Sequence, residues 1–210
     1  MKITVIGAGN VGSALARSAV AAGHTVTIAA ASADKAAAVA AETGAVAASD
    51  NVSATAGAEL VVLAVPHSAV ASVAADIREA VTGVPVVDAT NPLNATYSDL
   101  DITGISAAGD LAALLPGSPV VKAFNTVFAS RYATPTEAGT PLTVLIAGDD
   151  ADAKAATAEL ASSLGFSPVD AGGLRQARAL EEIAFLNISL NATNGWVWQS
   201  AFTLVGPTTA

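Results

Sequence analysis

The N-terminal stretch constrains the fold of this chain more than any other. Residues 1–6 are an apolar run with β-branched members, which predicts a buried strand, and residues 13–20 are rich in helix formers. Between them lies Gly7-Ala8-Gly9-Asn10-Val11-Gly12, a G-x-G-x-x-G pattern. In this context the first glycine permits a tight turn, the second lets the backbone approach a pyrophosphate, and the third lets the helix pack on the strand. The pattern therefore predicts a dinucleotide site.

Composition limits the partners that the chain can have. Its 210 residues carry a net charge of -9, whereas nucleic acids and anionic membranes require a basic face, so we expect neither as a partner. The chain has no cysteine and two histidines, so we expect neither a disulfide nor a metal site. We expect no signal peptide before the first strand, no membrane span, and a cytoplasmic location.

The end of the second predicted strand, residues 25–29, bears on the choice of cofactor. An Asp or Glu at this point would hydrogen-bond the ribose hydroxyls of NAD, but alanines stand here instead. Ser32 and Lys35 follow, and they can hold the 2′-phosphate of NADP through charge-assisted hydrogen bonds. The alternative is that Ser32 caps the next helix and Lys35 is solvated. The missing acid favours NADP.

The rest of the chain alternates predicted strands and helices, as in an α/β, Rossmann-type, doubly wound and mostly parallel sheet. We predict strands over residues 59–65, 84–88, 119–124, 142–147 and 166–170, and helices over 33–42, 68–80, 107–115 and 151–164. Residues 1–170 are predicted to form the dinucleotide-binding domain. Residues 171–210 are predicted to form a C-terminal segment, with a long helix over 174–202, that closes the site and dimerises.

Three predicted strands are followed by residues of interest. Pro66, Asn91 and Asn125 each come after an apolar strand, and parallel strands bring such positions to one edge of a sheet. We interpret His67 as a solvated loop residue rather than a catalytic group. Lys122 lies inside an apolar strand, where an edge position with its ammonium in solvent and a buried charge partner are both possible explanations.

Several stretches together resemble the coenzyme F-420-dependent NADP oxidoreductases. They are residues 7–12, 88–93, 122–126, 148–150 and 169–174, and they fit that family in order along essentially the whole chain. The resemblance implies a Rossmann domain that binds NADP(H) and a small C-terminal part that helps to enclose a deazaflavin. It also implies hydride transfer between two stacked rings and a homodimer.

The resemblance further implies roles for individual residues. Cofactor contacts are expected at Gly7, Ala8, Gly9, Asn10, Val11, Gly12, Ser32, Lys35, Val65, Pro66, Asn91 and Asn125. Placement of the two rings is expected from Asn91, Asn125, Thr126, Val127 and Ala129, with no catalytic side chain and no metal. The chain departs from the family pattern around Ser32, where members carry an arginine. It also departs at Asn125 and Gly173, where some members carry histidine and proline.

Hydride transfer between two flat rings requires little from side chains beyond positioning. The absence of an obvious general acid is compatible with this reaction and unfavourable for a ketone or imine reductase, whose substrate must be protonated. Related hydroxyacid dehydrogenases need a further, larger helical domain, for which we expect 210 residues to be too few. Two alternatives stay open: an NADPH-dependent flavin or ferric reductase, and a non-catalytic NADP-binding or sensing module.

Overall fold

Eight strands form one sheet in the computed structural model, which describes residues 1–206. The strands of the chain are β1 Lys2–Ile6, β2 Thr25–Ala29, β3 Val46–Ala47, β4 Leu60–Leu63, β5 Val86–Asp88, β6 Val120–Lys122, β7 Thr136–Glu137, β8 Thr140–Pro141, β9 Thr143–Gly148 and β10 Ser167–Gly172. The order across the sheet is β10-β9-β6-β5-β4-β1-β2-β3, and β7 pairs with β8 in a separate hairpin. Only β6 and β9 pair antiparallel within the sheet of the described residues, which confirms the predicted mostly parallel fold.

Helices cover both faces of this sheet. They are α1 Asn10–Ala21, α2 Ala33–Thr43, α3 Asn51–Ala54, α4 His67–Ile77, α5 Ala107–Leu114, α6 Ala151–Ser163 and α7 Ala177–Asn194, with 3-10 turns at Ala129–Arg131 and Leu174–Gln176. Alternate residues of β4 point to opposite faces: Val62 packs in a core with α1, α2 and α6, and Leu63 packs in a core with α4 and α5. This two-sided burial explains why β4 is apolar throughout.

The strand order places a topological switch beside β1. The chain runs from β1 to β2 on one side of β1, and later enters β4 on the other side. The loops that leave β1 and β4 therefore diverge and open a crevice at the carboxyl ends of the strands, which is where ligands bind in open α/β sheets.

The C-terminal helix is shorter than the sequence analysis predicted. We expected a helix over residues 174–202, but α7 covers Ala177–Asn194 and the 3-10 turn at Leu174–Gln176 precedes it. Gly195 follows in the left-handed conformation with φ 64°. Glycine commonly ends helices in this conformation, because it has no Cβ that would clash with the backbone. Residues 196–206 contain no helix or strand.

Residues after α7 pack back onto the sheet domain. Ser130 Oγ donates to the Trp198 carbonyl at 2.5 Å, Arg131 Nη1 donates to the Gln199 carbonyl at 3.1 Å, and Leu204 N donates to Thr143 Oγ1 at 3.0 Å. The proposed boundary at residue 170 falls inside β10, and the division into two domains stays a prediction. Among residues 1–206, no helix is long and apolar enough to cross a membrane.

Candidate active site

The three glycines of the first loop differ in the space around them. A Cβ at Gly7 would collide with the Ala64 carbonyl, and Gly7 also has φ +120°, which an L side chain rarely adopts. A Cβ at Gly12 would collide with the Gly7 carbonyl. A Cβ at Gly9, in contrast, would have no atom within 4 Å. Gly7 and Gly12 are therefore required by the packing of α1 on the sheet, whereas Gly9 leaves open space that a ligand can occupy.

The first turn of α1 provides a site for an anion. The N-cap residue is Gly9, which has no side chain that could accept from the first N–H groups of α1. The first turn of α1 also contains no acidic residue. The N–H groups at this end therefore have no side-chain partner, and the positive end of the helix dipole faces the open space at Gly9. A pyrophosphate suits this arrangement.

The structure gives Ser32 and Lys35 different positions. Ser32 is the N-cap of α2, and its Oγ accepts from the Lys35 N–H at 3.3 Å, which is the capping role that the sequence left as an alternative. Lys35 is exposed, and its side chain lines the large cavity described next. No ligand contact of either residue is determined, so their binding roles stay predictions.

A cavity of about 1050 Å³ lies at the switch point, just above the range of about 300–1,000 Å³ typical for ligand pockets. Predicted site residues that line it are Ala8, Gly9, Asn10, Val11, Lys35, Asn91, Asn125, Val127 and Ala129. It therefore joins the glycine loop to the ends of β5 and β6.

Other predicted residues lie outside this lining. Val65 packs close to Gly7, Pro66 is the exposed N-cap of α4, and Thr126 is buried. His67, interpreted from the sequence as a solvated loop residue, is instead the first residue of α4 and is half-buried. The expected convergence at one sheet edge therefore includes Asn91 and Asn125 but places Pro66 outside the cavity.

Asn91 and Asn125 form a closed pair of amides at the cavity wall. Asn91 Nδ2 donates to the Asn125 carbonyl at 2.9 Å, and Asn125 Nδ2 donates to Asn91 Oδ1 and to the Leu180 carbonyl, each at 3.0 Å. Asn125 is 6% exposed, and its Oδ1 has no hydrogen-bond partner among the described residues. A buried acceptor without a donor is costly, so this oxygen is available to a donor on a bound ligand.

Lys122 lies in a fully buried ion cluster beneath this pair. Its Nζ is 2.8 Å from Asp88 Oδ2 and 3.3 Å from Glu181 Oε1, and it donates to the Thr90 carbonyl at 2.7 Å. The sequence left an edge position and a buried charge partner open for Lys122. The second explanation is correct, because β6 lies between β5 and β9 and the lysine is 0% exposed.

Backbone strain concentrates around the cavity. Four non-glycine residues in the described chain have positive φ, and three of them, Tyr97 at 57°, Phe124 at 66° and Trp198 at 59°, line the cavity. Such conformations cost about 1–3 kcal/mol each and cluster at binding and active sites. The fourth, Ala138, lies in the β7–β8 hairpin.

Sequence analysis missed several residues of the lining. Arg17 lies on the same face of α1 as Asn10 and Ser13, so helical periodicity from the glycine loop could have identified it. Phe128 and Trp198 meet edge-to-face at the wall with ring centroids 5.6 Å apart. Trp198 was not identifiable, because it belongs to the stretch predicted as helix.

Comparison with known proteins places the chain in a family. Residues 2–92 match the family described as NADP oxidoreductase, coenzyme F-420-dependent. An F-420-dependent NADP reductase of Methanothermobacter thermautotrophicus is 35% identical over 211 residues, which cover 92% of this chain and 90% of the relative. The chain belongs to this family.

Two further comparisons bear on the family assignment. A crystal structure of a proposed F-420-dependent NADP reductase from Arthrobacter sp. FB24 superposes with a TM-score of 0.86 and 30% identity, covering 98% of this chain and all of that one. Metalloreductase STEAP3 of Rattus norvegicus is 30% identical over 183 residues, which cover 87% of this chain but only 36% of that protein.

The chemistry of the cavity agrees with an F-420-dependent NADP oxidoreductase. Among residues 1–206, no aspartate, glutamate or histidine lines it, and no group of acidic or histidine side chains could hold a metal. Tyr97 also lines the cavity and is 70% exposed. The sequence analysis did not name Tyr97 as a site residue.

Proposed function

We propose that this NADP-dependent oxidoreductase transfers a hydride between NADP(H) and a deazaflavin of the coenzyme F-420 type inside the cavity at the switch point. The observation that carries the proposal is the continuity of this cavity, from the glycine loop to the Asn91–Asn125 pair. The family to which the chain belongs supports both cofactors. The reaction consumes one hydride from the nicotinamide and one proton from solvent for each deazaflavin reduced.

The phosphate groups of NADP(H) fit the α1 end of the cavity. The uncapped N–H groups after Gly9 would hold the pyrophosphate. Two cationic side chains, Arg17 and Lys35, line the cavity beyond this point and would attract the 2′-phosphate. Arg17 is held only weakly in the protein, because its nearest acidic group is exposed Glu42 at 3.6 Å.

The nicotinamide fits the other end, at the amide pair. The unpaired Asn125 Oδ1 would accept a hydrogen bond from the carboxamide N–H of the ring. Both hydrogens of the Asn125 amide are already committed to Asn91 and Leu180, so the amide cannot rotate without losing two bonds. This rigidity supports placement of the ring rather than general acid catalysis.

The second flat ring fits between the nicotinamide and the aromatic wall. Phe128 and Trp198 offer apolar ring surface at that side of the cavity, and flat heteroaromatic rings stack on such side chains. Deazaflavin supplies the hydride acceptor when it is bound. The chain's own residues hold both rings in contact and exclude water.

A second candidate function is NADPH-dependent reduction of a flavin or, through a flavin, of a ferric chelate. The similarity to the metalloreductase supports it, although this chain spans about a third of that relative's length. For this second function the NADPH site of the chain would be the one described above, and only the hydride acceptor would differ. The non-catalytic alternative would bind NADPH without reducing either acceptor.

Absorbance spectroscopy separates these possibilities. Purified protein is mixed with NADPH and either deazaflavin or FMN, and the acceptor band is followed in time. We expect deazaflavin to bleach faster than FMN. Asn125→Leu should lower kcat for deazaflavin by about a hundredfold, as expected for misplaced rings, whereas Tyr97→Phe should leave it unchanged. Faster FMN reduction would favour the second candidate, and binding without either reduction would favour the third.

We also propose that the protein acts as a homodimer in the cytoplasm. Large apolar side chains are exposed on and after α7, namely Leu186, Trp196, Val197, Phe202, Leu204 and Val205, and such a patch is typical of an interface. Sedimentation analysis should give twice the chain mass. A monomer at all concentrations tested would contradict the dimer.

A further inference from the structure

The buried ion cluster joins four elements of the fold at one point. Asp88 ends β5, Lys122 ends β6 as its cross-strand partner, and Glu181 reaches in from α7. Glu181 also accepts from the N–H groups of Ala107 and Ala108, each at 3.2 Å, which are the first residues of α5. The cluster thus connects the sheet, α7 and the helix that follows the 94–105 loop.

Both amides of the proposed nicotinamide site are attached to this cluster through neighbouring backbone. Thr90 precedes Asn91, and its carbonyl accepts from Lys122 while its N–H donates to Asp88 Oδ1 at 2.9 Å. Leu180 precedes Glu181, and its carbonyl accepts from Asn125 Nδ2. A movement of Lys122 would therefore shift Asn91, and a movement of Glu181 would shift Asn125.

The charges of the cluster balance only with the help of α5. Two carboxylates face one ammonium, and the N-terminal end of α5 supplies the remaining positive potential through two N–H groups that point at Glu181. Buried ions lose their hydration, so a buried ion cluster often adds no more stability than apolar residues of similar volume do. Stability alone therefore does not account for three buried charges that are joined to the Asn91–Asn125 pair through the Thr90 and Leu180 backbone.

We infer that Lys122 and Glu181 are positioning residues for hydride transfer, which fix the Asn91–Asn125 pair and hence the nicotinamide. The inference rests on the proposed function. Neither residue lines the cavity, so neither touches a cofactor. They act through the Thr90 and Leu180 backbone.

Glu181→Gln tests the inference with little change in volume. The amide has one acceptor oxygen where the carboxylate has two, so it cannot serve Lys122 and both α5 N–H groups, and the first turns of α7 must shift. The remaining Lys122–Asp88 pair stays balanced in charge, which favours folding. We expect kcat for deazaflavin reduction to fall about 10- to 100-fold, with the NADPH Kd within about threefold of the wild-type value.

Two control variants separate positioning from general destabilisation. Glu182→Gln makes the same change at the next residue of α7, which is exposed and pairs with Arg178 at 2.8 Å, and it should leave kcat unchanged. Ile77→Val removes a methylene from the core beneath α4, away from the cavity. It should lower Tm without lowering kcat.

The emission of bound NADPH provides a readout that does not require turnover. In the wild type we expect an emission spectrum shifted from that of free NADPH, because the ring is held at Asn125, and in Glu181→Gln a partial return to the free spectrum at full saturation. If Glu181→Gln does not fold, the double variant Asp88→Asn/Lys122→Met tests the attachment of Thr90 with the same readouts.

The outcomes are distinguishable. A wild-type protein that reduces no deazaflavin contradicts the proposed function, and the emission spectra then still decide the positioning role. A wild-type protein that is active, with Glu181→Gln equal to it in kcat and emission, overturns the positioning role alone. A loss of kcat in Ile77→Val as large as that in Glu181→Gln also overturns it.

Discussion

Two glycines of the first loop are expected to have different roles: Gly9 in cofactor binding and Gly12 in the stability of the fold. Gly9→Val should keep the fold, because its φ of -84° suits any residue and a Cβ there meets no atom within 4 Å. It should lower NADPH affinity more than about tenfold, or about 1.4 kcal/mol, because the side chain fills the space left for the pyrophosphate. Gly12→Ala should instead lower Tm, because its Cβ collides with the Gly7 carbonyl. Calorimetric titration and circular dichroism measure the two effects; normal NADPH binding by Gly9→Val would refute the pyrophosphate assignment.

Ser32 and Lys35 are expected to differ in the same way. Ser32→Ala removes the cap of α2 and should cost about 1 kcal/mol of stability. Because Ser32 Oγ is already engaged by the Lys35 N–H, we expect this variant to lower NADPH affinity less than Lys35→Ala does. Lys35→Ala should keep Tm and lower NADPH affinity about tenfold, as for loss of a charge-assisted hydrogen bond, while NADH affinity stays constant. Equal affinity of the wild type for both cofactors would contradict the NADP preference.

Residues differ in how far the sequence alone could place them. The glycine loop is contiguous, so its conformation and role are readable from one short stretch. The role of Lys122 cannot be read from one stretch of sequence. Its partners Asp88 and Glu181 lie far from it along the chain and meet it only through the β5–β6 register and the packing of α7. The same holds for the Asn91–Asn125 pair, whose edge of the sheet was predictable but whose hydrogen bonds were not.

Secondary-structure elements show a similar division. The short β7–β8 hairpin was missed. The longer strands and helices of the dinucleotide-binding part follow hydrophobic runs and were predicted. The antiparallel β6–β9 pairing was not, because a buried strand has the same apolar pattern in either direction. The end of α7 at Gly195 carried a local signal, a glycine inside a predicted helix, which the apolar residues beyond it obscured.

The segment after α7 is expected to hold the second ring. Trp198→Ala should raise the KM for deazaflavin about tenfold, since stacking of a base on an aromatic side chain is worth about 1–3 kcal/mol, and should leave the NADPH Kd unchanged. Trp198→Phe is the matched control, because it keeps an aromatic ring at the cavity wall, and it should change the KM little. Steady-state kinetics with both variants measure the effect, and equal KM values for them would remove Trp198 from the acceptor site.

At the scale of the whole molecule, His24 connects Met1, just before β1, to the end of α6. Its Nδ1 is 3.3 Å from the Met1 amino nitrogen, and its Nε2 is 2.7 Å from Ser163 Oγ at the end of α6. Burial, and then the charge of the N-terminal amine, lower the pKa of His24 below its usual value of 6.5. The folded protein therefore binds this proton less tightly than the unfolded chain does.

The lowered pKa of His24 predicts the direction of a pH effect. Its contribution to stability is fully present above the unfolded pKa of 6.5, and it is lost as the pH falls below that value towards the lower pKa of the folded state. Between about pH 7.5 and 5.5 the wild type should lose more Tm than His24→Gln, which cannot titrate. Thermal melts of both proteins at the two pH values measure this difference, and parallel losses would show that His24 does not contribute.

Transfer of a deuterium label tests the central claim most directly. NADPH deuterated at C4 of the nicotinamide, on each face in turn, is mixed with the protein and oxidised deazaflavin, and the reduced deazaflavin is analysed by mass spectrometry. Direct transfer between two rings in contact predicts that one labelled face delivers its deuterium to the deazaflavin without loss to water. Reduced deazaflavin that contains only hydrogen from solvent, with either labelled face, would contradict hydride transfer in this cavity.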